Sequence, residues 1–475
     1  MFVTLHVRRF REGSALSENY CMSEYPLPDA FRRSCEERMG AVEAARLWAA
    51  LDTLSPVSIR YNPYKSTQPT GGRQVSWSRY GYYLEDRPSF TLDPLFHGGA
   101  YYVQEASSMF IEQLYRTLFA EAEAPRILDL CAAPGGKTTL LSSLVGADGL
   151  VVANEVIRAR ALTLADNVRK WGIGNVVVTN NDPAHLGAYE HFFDLILVDA
   201  PCSGEGMFRK TPEARNEWSP EAVKLCAARD RRILSDVWAA LRPGGVLIFS
   251  TCTFNEEENE GTVRWLIETY GAEPVEVVCD PAWGVECGQV AEVPTFRFYP
   301  HRVEGEGFFA AALRKSEGRC RERVPKPRKS LFTEPNKAER MELARWVGQP
   351  DWMQFARVGD SFYAYYRAAF PAVRQLAEGL SVVASGVLCG GLYGGKLKPE
   401  HPLAMFHDLA AGVTPRADLT LEEALDYLRK KETDPSLLQE GINLVTYEGL
   451  PLGWIKRIGR RCNNLYPMGL RIAHL

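Results

Sequence analysis

Apolar and polar positions change period several times along the chain, and the changes mark its segments. Leu27 to Leu54 carries apolar residues at helical spacing, with Phe31, Met39, Ala44, Leu47 and Leu51 as core positions. Pro56 to Tyr61 then alternates as a strand does. In the middle third, short apolar runs at Ile127–Leu130, Leu150–Asn154, Val176–Asn180, Leu195–Asp199 and Gly245–Ser250 alternate with helical patterns such as Arg158–Trp171 and Glu221–Leu241. Strands alternating with helices imply an α/β domain, a doubly wound sheet covered on both faces. Tyr299 to Leu313 reads as a turn and the domain's last strand. A last unit, from Val382 to the end, carries G-V-L-C-G-G-L, a helix at Leu421–Lys431 and a hairpin turning near Gly449, and reads as mostly β.

Composition refines this outline. The 475 residues are too many for one core, so two to four domains are expected. The expected division is a dispensable leader at 1–22, an N-terminal α+β extension at 23–120, the α/β domain at 121–315, a basic linker at 316–336, an intermediate segment at 337–380 and the last unit at 381–475. A net charge of −4 leaves polyanion binding to local patches. Arg314 to Lys329 holds eight basic and two acidic residues, and Leu452 to Leu475 holds five basic residues and no acidic one. Aromatics and arginines between Trp77 and Tyr102 could stack RNA bases, although such residues are more often core. The eleven cysteines are scattered without C-x-x-C spacing, so no metal site is expected. With no secretory leader and no long apolar span, a cytoplasmic, membrane-free protein is expected, and a monomer.

The chemistry centres on I-L-D-L-C-A-A-P-G-G-K-T-T, Ile127 to Thr139. An apolar strand runs into a glycine turn and a helix start, a ready site for a nucleotide-like ligand. Glu155 follows the second strand about twenty residues beyond that turn, where an acidic residue accepts bonds from ribose hydroxyls. Asp182 follows the third strand and Asp199 ends the fourth. Each alone has an ordinary reading as a cap or turn residue; together they point to a nucleoside-type cofactor. A P-loop NTPase needs a glycine where this chain has Cys131, and G-x-G-x-x-G is absent. An acidic clamp beside a short turn suits S-adenosylmethionine, which has no phosphate to neutralise.

Cys202 and Cys252 lie just past the fourth and fifth strands. Two thiols beside a methyl donor suit methylation of a pyrimidine at C5. That carbon becomes nucleophilic only after a thiolate adds at C6, a carboxyl near N3 stabilises the adduct, and a second thiol can assist release. Spacing does not say which cysteine attacks.

D-L-C-A-A-P-G-G-K-T, V-D-A-P-C-S-G-E-G, S-T-C-T-F-N-E-E-E-N-E and G-E-G-F-F-A-A-A-L together resemble the Sun/Fmu family of RNA cytosine-5 methyltransferases over about Pro56 to Leu313. R-P-S-F-T-L-D-P-L-F-H-G-G-A-Y-Y-V-Q-E-A-S-S-M-F and L-P-L-G-W-I-K-R-I-G-R-R-C-N-N-L-Y-P-M-G-L-R are similar to the RsmF-type ribosomal RNA subgroup. The resemblance implies a Rossmann-like methyltransferase domain with a mixed sheet, an RNA-binding N-terminal extension and a PUA-like C-terminal module. It implies a cofactor turn of Cys131, Ala132, Ala133, Pro134, Gly135, Gly136 and Lys137, with Glu155 on the ribose, Asp182 by the adenine and Asp199 between cofactor and base. It makes Cys252 the nucleophile and assigns Cys202 to product release. The implied partner is small-subunit ribosomal RNA or the assembled subunit, with transfer RNA as the nearest alternative. A non-enzymatic RNA-binding protein would leave this whole set idle. Cys462 and Met468 depart from the subgroup, in which basic residues are usual there.

Overall fold

The apolar runs of the middle third pair edge to edge. A computed structural model, which describes residues 25–65, 72–119, 121–327 and 330–473, places them at the centre of a ten-stranded sheet. The expected leader at 1–22 lies outside the described residues. The strands are β1 (Arg126–Asp129), β2 (Leu150–Asn154), β3 (Val176–Thr179), β4 (Phe193–Asp199), β5 (Leu241–Thr251), β6 (Glu286–Val290), β7 (Val293–Phe298), β8 (Phe308–Arg314) and β9 (Val382–Ser385). Their order is β6-β7-β8-β5-β4-β1-β2-β3-β9, and Glu273–Pro274 adds a short pairing on β8. The pairs β1–β2, β1–β4, β2–β3 and β4–β5 are parallel. The outer pairs are antiparallel. Helices α1 (Gly136–Val145), α2 (Arg158–Trp171) and α3 (Pro220–Val237) connect the parallel strands. The doubly wound mixed sheet is thus the observed fold.

Alternate residues of each central strand enter opposite layers. Leu128, Val152, Ile196 and Phe249 join one apolar cluster, and Ile127, Val151, Leu197 and Ile248 the other. Burial on both faces is why these strands read as continuous apolar runs. The hairpin β6–β7 leaves no apolar run in the sequence at Glu286–Val290, which is mostly exposed.

Ahead of the domain, the single helix expected over Leu27–Leu54 is two, Asp29–Met39 and Ala41–Leu51. The break falls at Gly40, whose N–H closes the first helix on the Glu36 carbonyl. An antiparallel sheet follows, in the order Arg73–Gln74, Gly81–Leu84, Val57–Tyr61, Tyr101–Val103. Its aromatics are largely core: Trp77 packs on Phe298 at 5.1 Å between centroids, and Tyr101 on Tyr61 at 6.4 Å.

Downstream, the sheets cut the chain elsewhere than at residue 381. Val382–Ser385 is β9, hydrogen-bonded to β3, while Val387–Tyr393 and Lys396–Pro399 complete a sheet with Met353–Val358 and Ser361–Tyr366. β9 covers an edge of β3 that would otherwise present unpaired backbone groups. A separate C-terminal sheet takes Arg416–Asp418, Gly441–Tyr447, Leu450–Ile458 and Arg461–Asn464, with the expected hairpin turning at Gly449. The helix Leu421–Leu428 starts at a capping box of Thr420 and Glu423. Among the described residues no helix is long and apolar enough to cross a membrane.

The middle and C-terminal sheets meet at the helix His401–Met405. The buried His401 ring lies edge-on to Tyr466 at 5.2 Å, and its Nδ1 has no hydrogen-bond partner. Burial, then the charges of Lys65 and Arg169, push its pKa down to about 3. A base depressed in the folded state contributes fully above its unfolded pKa of about 6.5 and loses that contribution as pH falls toward the folded value. Acidification from about pH 7 to about pH 5 is expected to remove on the order of 2 kcal/mol at this one residue. His401→Phe, which cannot titrate, is expected to lose clearly less melting temperature than the parent over that range. Parallel melting curves for the two proteins would show that His401 does not govern the acid limb.

Candidate active site

β1 ends at Asp129 and α1 begins at Gly136, so Cys131, Ala132, Ala133, Pro134 and Gly135 form a tight turn between them. Gly135 has a φ of +117°, which a side chain would strain. The turn is held from outside. Arg160 Nη2 donates to the Ala133 carbonyl and Asn167 Nδ2 to the Pro134 carbonyl, each at 2.9 Å. From the N-terminal sheet, Arg60 Nη2 donates to Gly136 O at 3.1 Å and Thr139 Oγ1 at 2.6 Å. Beneath the turn, Thr138 Oγ1 donates to Asp129 Oδ2 at 2.6 Å, while Asp129 Oδ1 is buried without a partner. Burial pushes the Asp129 pKa up to about 7.

The expected carboxylates stand at successive strand ends. Glu155 follows β2; its Oε1 accepts from the Ile157 N–H at 2.9 Å, and its Oε2 lies 3.3 Å from Arg160. Asn154, just before it, accepts from Thr179 Oγ1 at 2.8 Å and the Asn181 N–H at 3.1 Å, so it splices the ends of β2 and β3. Asp182 is exposed and caps the short helix Pro183–Gly187 by accepting from the Ala184 N–H at 3.0 Å. Asp199 ends β4 with its Oδ2 2.8 Å from Lys137 Nζ, and its Oδ1 accepts from Ser250 Oγ at 2.8 Å. Burial alone would lower the Lys137 pKa, but the Asp199 carboxylate outweighs it and holds the ammonium above its ordinary value.

The two cysteines meet. Parallel register sets Asp199 opposite Ser250, so the loops after β4 and β5 leave side by side. Cys202 Sγ is 3.2 Å from Cys252 Sγ, and the Cys252 N–H donates to Cys202 Sγ at 3.3 Å. The hydrogen bond with Cys252, then burial, raise the Cys202 pKa. The Gly206 N–H donates to the Cys252 carbonyl at 2.8 Å, and a Cβ at 206 would fall 2.7 Å from that oxygen. Only glycine allows this approach. Cys131 sits in the turn, apart from the pair; burial, with Asp129 and Asp199, pushes its thiol pKa up.

Several supporting residues had no assigned role in the sequence. Glu258 accepts from the Ser203 N–H at 2.8 Å and from Asn255 Nδ2 at 2.6 Å. Both lie in the quoted motifs, and the signal was a polar run just past a strand end. Arg60 and Asn154 had weaker signals, a lone arginine in an apolar strand and an asparagine closing one.

The donor set suits a cationic nucleoside ligand. Glu155, Asp182, Asp199 and Asp129 are acidic, whereas the basic groups at the turn are engaged, Lys137 by Asp199 and Arg160 by Glu155. A triphosphate would need free cations here; a sulfonium and an amino acid ammonium would not. A cleft of about 1000 Å³ lined by Arg60, Tyr64, Tyr115, Phe119 and Leu144 lies behind α1 and is not this site.

Three family models match the chain: 16S rRNA methyltransferase RsmB/F over residues 116–314, the N-terminal domain of 16S rRNA methyltransferase RsmF over 27–106, and the methyltransferase RsmF PUA domain over 414–472. The chain is 33% identical over 472 residues to the ribosomal RNA small subunit methyltransferase F of Escherichia coli strain K12, covering 93% of this chain and 96% of that protein. A methyltransferase homolog protein from Pyrococcus horikoshii superposes with a TM-score of 0.53 at 28% identity, over 62% of this chain and 97% of that one. NSun6 from the same organism shares the fold, with a TM-score of 0.53 at 21% identity, over 61% of this chain and 99% of that one. A glycine turn ringed by strand-end acids, a thiol pair beyond adjacent strands and a full-length relative agree: the chain belongs to the RsmB/F family of 16S rRNA methyltransferases.

Proposed function

We propose that this chain methylates C5 of a cytosine in RNA, using S-adenosylmethionine, and that its target lies in small-subunit ribosomal RNA. The observation that carries this reading is the thiol pair, Cys202 and Cys252, 3.2 Å apart beside the Asp199–Lys137 ion pair. Cytosine C5 is a poor nucleophile until C6 is attacked, and a paired thiol site answers that need. The ribosomal target is supported by the named relatives and by the basic residues Lys456, Arg457, Arg460, Arg461 and Arg471 of the C-terminal module.

In this reading Cys252 adds to C6 as its thiolate, and the C5–C6 π electrons become available at C5. Asp199 and Lys137, paired at 2.8 Å, steady the charge that develops at N3. Residues Cys131 to Lys137 would hold the cofactor's amino acid end, Glu155 its ribose and Asp182 its adenine side; the cofactor supplies the methyl group. Release then needs two events. The C5 proton leaves to water while its C–H electrons restore the C5–C6 double bond, and the C6–S bond breaks with its electrons returning to Cys252. The Cys202 thiol, 3.2 Å away, gives its hydrogen to that departing sulfur. The target base must be unstacked for C6 to be reached.

Three outcomes are expected. RNA containing 5-fluorocytosine is trapped covalently by the parent protein, because fluorine cannot leave C5 without its bonding electrons as a proton does, and Cys252→Ala abolishes the adduct. An adduct formed by that variant would move the nucleophile's role elsewhere. Cys202→Ala should accumulate a covalent complex with ordinary RNA on denaturing gels, with turnover down about 100-fold. In a deletion strain, bisulfite mapping of total RNA should lose a 5-methylcytosine from small-subunit ribosomal RNA; loss from transfer RNA instead would keep the chemistry and replace the substrate.

A further inference from the structure

Glu258 ties the two cysteine loops together, and none of the steps above uses it. Its side chain is fully buried, in the turn that follows β5. The carboxylate accepts from the Ser203 N–H at 2.8 Å, one residue from Cys202, and from Asn255 Nδ2 at 2.6 Å, three residues from Cys252. Ser203 Oγ also bonds Glu258 and lies 3.0 Å from Thr253 Oγ1, so the loops are pinned at Ser203 from two sides. The Glu258 N–H donates to Asn255 Oδ1 at 2.9 Å, which fixes the orientation of that amide. We infer that Glu258 is a positioning residue that holds Cys202 against Cys252 and thereby governs release of the methylated base rather than formation of the adduct.

A second buried carboxyl fixes where the negative charge sits. Asp230, on α3, is fully buried, and neither of its oxygens has a hydrogen-bond partner. Burial, then the nearby Glu258, push its pKa up to about 8. Two buried acids that sense each other do not both ionise readily. Asp230 lacks donors; burial, with Glu205 nearby, raises the Glu258 pKa too, but the Ser203 and Asn255 donors act against that rise and favour charge on Glu258 over Asp230. The hydrogen bond with Cys252 and burial favour the protonated Cys202 thiol, and negative charge on Glu258 adds to them. A thiol held protonated 3.2 Å from Cys252 is the form that can give hydrogen to the departing sulfur.

This inference rests on the proposed roles of the two cysteines, so the parent and Cys202→Ala proteins are assayed alongside Glu258→Gln and Ser203→Ala. Each protein is given a small-subunit ribosomal RNA transcript, with active sites counted by S-adenosylhomocysteine binding. Glu258→Gln keeps an acceptor for the Ser203 N–H but loses the charge and sets an NH₂ group against Asn255 Nδ2. It should form adduct at nearly the parent rate and release product at least about tenfold more slowly, so the complex accumulates. Ser203→Ala should lie between it and the parent. In a Cys252→Ala background, alkylation of Cys202 by iodoacetamide, followed by peptide mass mapping, should set in at lower pH once Glu258 is glutamine. If adduct formation and release fall in proportion, or the alkylation profile does not move, Glu258 is only structural. If Cys202→Ala itself accumulates no complex, the cysteine assignment fails together with the inference. If that variant accumulates it and Glu258→Gln does not, only the inference fails.

Discussion

Asp199 lies opposite Ser250 in the parallel pairing of β4 and β5, and the rest of the site follows from that alignment. Parallel neighbours end at the same sheet edge, so the two loops begin level with each other. Cys202 comes three residues after Asp199 and Cys252 two after Ser250, and their sulfurs meet at 3.2 Å. A slip of one residue would turn every side chain of a strand to the other face. Ile196 and Leu197 would then exchange layers, apolar burial would be lost on both sides, and the thiols would separate. Core packing and the thiol pairing therefore share one constraint: the burial that fixes the register also fixes the distance between the sulfurs.

The electrostatics of that edge select its ligand. The carboxylates at the strand ends outnumber the cations, and those cations are already held. Lys137 is bound to Asp199 at 2.8 Å and Arg160 lies 3.3 Å from Glu155. Such pairs add little stability, because desolvating both partners offsets their attraction. What they provide is orientation, with both cations at the turn already engaged. The cysteines differ for a related reason. Cys131 is held as a thiol by burial among acids, whereas Cys202 has a sulfur partner and a charge one loop away. Cys131 and Cys202 are thus both pushed up, but by different neighbours.

The central strands, the glycine turn and the strand-end acids were legible in the sequence because each depends on local pattern. Apolar runs report burial on both faces, and a glycine at 135 reports a backbone that other residues strain. Pairings across long separations were not legible. β9 comes from a segment some two hundred residues after β3, and nothing in Val382–Ser385 says which edge it covers, so the last unit was expected to begin there. The bonds from Glu258 to Ser203 span 55 positions. The motifs around both residues were visible, but a list of motifs does not contain the hydrogen bonds between them. Asp182 shows the converse: its ordinary role as a helix cap is present in the structure, and capping does not prevent its exposed carboxylate from meeting a ligand.

The N-terminal extension is joined to this site too closely to act as a tethered module. Arg60 reaches the first turn of α1, bonding Gly136 O and Thr139 Oγ1, with its guanidinium 4.6 Å from the Trp171 ring centroid and its Nε on Gln104 Oε1 at 2.8 Å. A cation gains nothing from a helix N-terminus, where the dipole is positive. The arginine therefore serves as a geometric brace, its charge taken up by the Trp171 face and the Gln104 carboxamide. Burial lowers its pKa only to about 10, so it remains a five-donor fork at neutral pH. On the other flank, Glu105 Oε1 accepts from the Ser107 N–H at 2.9 Å and the Glu306 N–H at 3.1 Å, which ties the same extension to the loop before β8. That loop also meets the strand end that carries Cys252, since a Cβ at Gly206 would touch both Glu306 O and Cys252 O. One extension thus braces the glycine turn at Gly136 and the wall beside Cys252.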